Sequence, residues 1–148
     1  MANFYSSQYT DAYVDVPSDK LAPGDQSGDV KSLICDHTFT AELTTSDTLY
    51  LGKIPAGARV LAVHLRFPAS GATGIVDVGY LANGVDSVDV NGFVEGADPG
   101  AAAVMAFGTG AAIGKKFTAE TTITMIPTEN TASATATSVR VMVLYAVA

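Results

Sequence analysis

The chain is poor in cysteine, tryptophan and charge, and these shortages limit what it can be. Cys35 is the only cysteine, which excludes an internal disulfide framework. Tryptophan is absent, and charged residues form 16% of the 148 residues, against roughly 25% in average domains. No apolar run approaches the roughly 20 residues of a membrane span. The low charge indicates that partners cover part of the surface.

Basic residues are also scarce. The chain has 8 basic and 15 acidic residues, a net charge of -7. Lys115 and Lys116 are the only adjacent basic pair, whereas nucleic-acid binding needs clustered Lys and Arg. We therefore expect neither a nucleic-acid partner nor a membrane partner. The N-terminus has no basic segment followed by an apolar one, so we expect no signal peptide there.

Residues 48–67, TLYLGKIPAGARVLAVHLRF, are the most informative stretch of the chain. Two apolar runs are separated by IPAG, in which Pro presets the backbone and Gly permits a positive φ. The second run alternates, which predicts a strand with one buried face. The residues predicted to face inward are Leu61, Val63, Leu65 and Phe67, and those predicted to face outward are Ala62, His64 and Arg66.

The same rhythm of short strand and turn continues to the C-terminus. It predicts strands at residues 33–43, 49–54, 59–67, 75–81, 87–94, 117–126 and 138–147. Asn83-Gly84 favours a tight hairpin turn, and residues 98–108 fit a short helix as well as a strand. The last strand is apolar on both faces, which places it centrally in a sheet or at a subunit interface. The prediction is an all-β, jelly-roll-like β-sandwich of about eight strands, formed by residues 31–148.

Residues 1–30 differ from this pattern and predict an extended N-terminal arm. They combine three tyrosines with Pro17, Pro23 and five aspartates, and show no sustained period. If such a polar stretch is ordered, contacts with its own domain or with a neighbouring molecule must compensate the conformational entropy that it loses. Aromatic side chains bury much area at little entropic cost. The predicted interface anchors are Phe4, Tyr5, Tyr9 and Tyr13.

Candidate chemistry is sparse. Cys35 and His37 share one strand face and could form a nucleophile with its base or half a metal site, yet no third group accompanies them. A buried structural cysteine is the favoured interpretation. A calcium loop is matched only in part, because Ser87 stands where a carboxylate is needed at its start and Asp98 where a bidentate Glu is needed at its end, and an acidic strand edge is favoured instead. The residues of that partial match are Ser87, Asp89, Asn91, Gly92 and Asp98. We predict no catalytic residues, no metal and no cofactor.

Three stretches resemble small virion structural proteins of tailed bacteriophages: MANFYSSQYTDAYVDVPS, LYLGKIPAGARVLAVHLRF and GATGIVDVGYLANG. The resemblance spans about the first two-thirds of the chain. It implies a non-enzymatic capsid decoration or cement protein that binds the major capsid protein and copies of itself, as a homotrimer. The acidic balance suits the outer capsid surface better than a DNA-lined interior. The alternative is a virion-borne fibre or receptor-binding adhesin.

Overall fold

Nine strands form two sheets in the computed structural model, which describes residues 3–5, 30–67, 74–98, 105–108, 110–129 and 138–147. The strands are β1 (Asn3–Tyr5), β2 (Val30–Thr38), β3 (Thr48–Ile54), β4 (Ala58–Arg66), β5 (Val76–Tyr80), β6 (Asp89–Ala97), β7 (Met105–Phe107), β8 (Thr121–Pro127) and β9 (Ser138–Val147). Within these ranges there is no helix. Of the helix or strand predicted for residues 98–108, Met105–Phe107 is a strand. Residues 99–104 lie outside the described residues.

The strand order defines a jelly roll. One sheet has the order β2-β9-β4-β7 and the other β1-β3-β8-β5-β6. Leaving β1 aside, two four-stranded antiparallel sheets remain, in which strands distant in sequence are neighbours. This is the eight-stranded double-sheet arrangement of jelly rolls. The predicted all-β, jelly-roll-like sandwich is confirmed.

The core lies between the sheets and follows the period-2 alternation of the strands. The inward residues of β9, Val139, Val141 and Val143, are all buried. β9 lies between β2 and β4, so the predicted central position is confirmed. A cluster of Tyr80 and two phenylalanines fills one part of the core, with ring centroids 4.8–6.2 Å apart. Each fully buried Phe stabilises the fold by about 1.5–3 kcal/mol.

The predicted faces of β4 are correct except at Leu61. Val63, Leu65 and Phe67 are buried, as expected, but Leu61 is 40% exposed. The pairing with β9 shifts register between Val60 and Ala62, so two β4 residues oppose one on the partner strand. Such a bulge moves the residues before it onto the other face. Val60 therefore takes the core position predicted for Leu61.

The two predicted turns have different outcomes. After β3, Gly57 has a φ of 86° and the Ala58 amide donates to the Pro55 carbonyl at 3.1 Å, which confirms the IPAG turn. Asn83-Gly84 does not form a two-residue hairpin, because residues 81–88 all separate β5 from β6. The Asn83 Oδ1 instead accepts hydrogen bonds from the amides of Val85 and Asp86, at 3.0 and 2.7 Å. An Asx-type turn of this kind builds a longer loop.

Part of the predicted arm belongs to the sandwich. Asn3–Tyr5 pairs in parallel with β3, with Asn3 opposite Thr48 and Tyr5 opposite Tyr50. The first sandwich strand then begins at Val30. Both ends of the predicted arm are therefore attached to the domain.

Candidate interaction surface

Two of the four predicted aromatic anchors contact the chain's own domain. The Tyr5 ring stacks on Tyr50 with centroids 5.0 Å apart and an interplanar angle of 24°. The Phe4 ring meets His37 edge-on at 6.5 Å. Tyr9 and Tyr13 lie outside the described residues. The intersubunit role predicted for the four residues remains a prediction.

Cys35 does not form a nucleophile–base pair with His37. Its thiol is buried on β2 and donates a hydrogen bond to the Leu51 carbonyl at 2.9 Å. Burial raises the pKa of Cys35 to about 12, and the neighbouring negative charge of Asp36 adds to the effect. Because the thiolate is the nucleophilic form, such a thiol is chemically inert near neutral pH. His37 is half-buried and packs edge-on against the Phe39 ring at 5.0 Å.

Three of the five residues of the partial calcium pattern, Asp89, Asn91 and Gly92, fall on a strand. Asp89–Ala97 forms β6, in which successive side chains point to opposite faces. The oxygen ligands of a calcium loop must wrap around one point, and an extended strand does not provide that geometry. Across the described ranges, no group of three or more His, Cys, Asp or Glu residues could hold a metal ion.

A polar cluster braces the loop between β5 and β6. The Lys115 Nζ forms an ion pair with Asp86 at 2.8 Å and donates to the Tyr80 hydroxyl at 2.8 Å. The Asn83 amide donates to the Asp86 carboxylate at 3.1 Å and to the Thr121 hydroxyl at 2.7 Å. The pKa of Asp86 is lowered, mainly by the hydrogen bond from Lys115 and to a lesser extent by the hydrogen bond from Asn83. The cluster joins three segments, so it has a structural role.

A charged row crosses the outward face of the β2-β9-β4 sheet. In the strand register, Arg140 of β9 lies opposite Asp36 of β2 on one side and Arg66 of β4 on the other. Arg140 donates to Asp36 from Nε at 2.6 Å and from a terminal nitrogen at 3.1 Å. This hydrogen bond is the main reason that the pKa of Asp36 is lowered. Together with Ser138 and Val139, the three residues line an open cleft of about 240 Å³.

An apolar patch adjoins this row on the same face. Two residues along the strands from the charged row, Ile34 of β2 lies opposite Met142 of β9. Two residues further along, Leu144 of β9 lies opposite Ala62 of β4. Ile34 is 44% exposed, and the bulge places Leu61, at 40%, near the same face. We name the outward-facing side chains of β2, β9 and β4 the β9 face. Its apolar members are Ile34, Leu61, Ala62, Met142 and Leu144, and its charged members are Asp36, Arg66 and Arg140.

Sequence reasoning placed Arg66 outward but did not identify the charged row. Asp36 and Arg140 are 104 positions apart in the chain, and their contact depends on β2 pairing with β9. The available signal was the second apolar face predicted for the last strand. That face indicated that β9 is central in a sheet or lies at a subunit interface, but it did not identify β2 and β4 as its neighbours.

The fold and this surface define a class: a jelly-roll sandwich with a partly exposed, partly apolar outer sheet face. Neither a protein-family profile nor a curated protein sequence matches the chain. The part of the chain that the structure describes contains no helix long and apolar enough to cross a membrane.

Solved structures with the same fold come from bacteriophage capsids. A chain in the capsid of Ralstonia phage GP4 is similar with a TM-score of 0.73 and 16% identity, over 99% of this chain and 99% of that chain. A chain of the cyanophage Pam1 capsid asymmetric unit gives 0.66 and 23%, over 90% and 97%. A chain in the acidic stable capsid of Helicobacter pylori bacteriophage KHP30 gives 0.52 and 19%, over 82% and 94%.

Proposed function

We propose that this chain is a structural protein of a bacteriophage virion, a decoration or cement protein that binds the assembled head and stabilises it. The observation that carries the proposal is the likeness, over nearly its whole length, to a chain of a phage capsid. Two further phage capsids contain chains of the same fold. A fold alone does not define a function, so the support comes from the agreement of this likeness with the independent sequence resemblance.

The proposed partners are the major capsid protein and other copies of this chain, as a homotrimer on the outer capsid surface. The net charge of -7 supports an outer position, because an acidic protein is repelled by packaged DNA. The low fraction of charged residues supports contacts with other protein surfaces. Residues 1–30 are proposed to clamp a neighbouring subunit or the underlying shell.

The proposed role is structural rather than catalytic. Cys35, the strongest nucleophile candidate in the sequence, is buried and donates a hydrogen bond to the Leu51 backbone carbonyl. Its raised pKa keeps it in the unreactive thiol form. The polar cluster around Lys115 is occupied by contacts that hold a loop.

Binding to capsids that lack the protein tests this function. We expect the purified protein to cosediment with such capsids at a saturating stoichiometry and to raise the temperature at which they rupture. A matched control uses the same capsids already carrying the protein, which should take up no more. Failure to bind capsids, together with binding to host cells, would contradict the decoration role and favour a fibre or receptor-binding adhesin.

A further inference from the structure

We propose that the β9 face is the surface on which a second copy of this chain docks. The inference rests on the self-association in the proposed function and assigns it to particular residues. Outward residues of a one-sided antiparallel sheet are ordinarily polar. On this face, Ile34, Met142 and Leu144 are apolar and come from neighbouring strands.

The apolar part of the face is well placed for a protein contact. Ile34 of β2 lies opposite Met142 of β9, and Leu144 of β9 lies opposite Ala62 of β4, so each of two adjacent rows has an apolar pair. The third residue of each row is polar, His64 in the first and Ser32 in the second. Because the strands are held in register by the β2-β9 and β4-β9 ladders, these groups form a fixed rather than an adaptable surface. Apolar groups at the centre of an interface and Arg beside them are typical of protein–protein contacts.

The charged row beside the patch carries one more positive than negative charge. Asp36 is engaged by Arg140 through two hydrogen bonds. Arg66 is exposed, and among the described residues its side chain makes no hydrogen bond or ion pair. Arg66 of β4 lies directly opposite Arg140 of β9. Like charges directly opposite each other on adjacent strands are destabilising. A carboxylate entering the cleft between Arg66 and Arg140 would relieve that repulsion and accept charge-assisted hydrogen bonds.

Charge complementarity identifies the occupant. The chain as a whole has 15 acidic and 8 basic residues, so another copy approaches this positive site with a surplus of carboxylates. A nucleic-acid phosphate also fits a guanidinium pair, but the adjoining apolar groups match a protein surface instead. The second copy therefore supplies both a carboxylate and an apolar patch.

Two variants of the β9 face and two matched controls test the inference in the full chain. Arg66→Glu reverses the unpaired charge, and Ile34→Glu introduces a charge into the apolar patch. Lys116→Glu is the control for Arg66→Glu, because it makes the same charge change at an exposed residue outside the β9 face. Val85→Glu is the control for Ile34→Glu, because it also replaces an exposed aliphatic residue, here 69% exposed, with a charged one. Arg66→Gln provides a milder change should the reversal fail to fold.

Sedimentation equilibrium of each protein is the measurement, with capsid cosedimentation recorded separately. We expect the wild type and both controls to form the same oligomer, a trimer. Arg66→Glu and Ile34→Glu should weaken its association by at least ~10-fold while the melting curve of the monomer is retained. An unchanged oligomer in both face variants, or equal weakening in the controls, overturns the inference. A wild type that binds capsids as a monomer also overturns it, but leaves the decoration role intact.

Discussion

His37 connects the N-terminal strand to the sandwich. Its ring contacts Phe4 of β1 at 6.5 Å and Phe39 at 5.0 Å. Burial lowers the pKa of His37 below its ordinary value of about 6.5, and a hydrogen bond with the Tyr5 backbone acts in the opposite direction. The neutral imidazole is therefore the form that the folded chain favours.

The attachment of β1 should weaken in mild acid. Above pH ~6.5 the His37 imidazole is neutral in both the folded and the unfolded chain. As the pH falls below that value, the unfolded chain binds a proton that the folded chain resists, so the free energy of unfolding decreases. We expect the wild-type melting temperature to fall by a few degrees between pH ~7.5 and ~5.5, and His37→Gln to reduce that fall.

His64→Gln is the matched control for this measurement, because His64 is a half-buried histidine on the β9 face rather than beside β1. It should keep the wild-type dependence on pH. Equal dependence in wild type and His37→Gln would show that His37 is not the responsible group.

Leu61 marks the limit of prediction for single residues. Alternation in the sequence correctly assigned Val63, Leu65 and Phe67 to the core. The bulge that exposes Leu61 arises from the pairing of β4 with β9, whose residues lie about 80 positions further along the chain. A local pattern contains no information about such a register shift, because the bulge is a property of two strands together.

The loop between β5 and β6 depends on one side chain from a distant segment. Lys115 lies between β7 and β8, yet its Nζ reaches both Asp86 in the loop and Tyr80 at the end of β5. The same Nζ lies 4.9 Å from the Tyr80 ring centroid and 5.2 Å from that of Phe117. These contacts hold the loop against the aromatic cluster of the core.

Removing the Lys115 charge should therefore destabilise the fold. Lys115→Met keeps an apolar side chain over the rings but deletes the hydrogen bond to the buried Tyr80 hydroxyl, worth about 1 kcal/mol. We expect the melting temperature to fall by ~2–4 °C. Lys116→Met, a change to the exposed neighbouring lysine, should leave it within a degree. A thermal shift of similar size in both variants would contradict the bracing role.

Strand positions could be predicted closely, whereas the order of the strands could not. The predicted strand at residues 138–147 coincides with β9, and most other bounds agree within a few residues. Gly79 illustrates the missing information: a Cβ there would lie 2.0 Å from the Asp89 carbonyl oxygen, so β5 and β6 require glycine at this crossing. Nothing in the local sequence identifies that partner. The β9 face was missed for the same reason, since it is assembled from three strands that are remote in the sequence.

At the scale of the whole molecule, residues 1–30 are a segment attached at both ends. β1 is the edge strand of one sheet, and β2, which begins at Val30, is the edge strand of the other. The stacking of Tyr5 on Tyr50 contributes to the stability of the isolated chain. The role of Tyr5 in the fold can therefore be separated by experiment from the proposed role of Tyr9 and Tyr13 in assembly.

The clamp proposed for residues 1–30 predicts different effects for different anchors. Ordering each residue costs roughly 1–2 kcal/mol of backbone entropy, and aromatic contacts are well suited to compensate it. Tyr5→Ala should lower the melting temperature of the isolated protein, because it loses the contact with Tyr50. The double variant Tyr9→Ala, Tyr13→Ala should leave that temperature unchanged but weaken capsid binding. Deletion of residues 1–29 should also weaken capsid binding and, because it removes β1 and Tyr5, lower the melting temperature as well. Unchanged capsid affinity in both the double variant and the deletion would show that the segment does not act as a clamp.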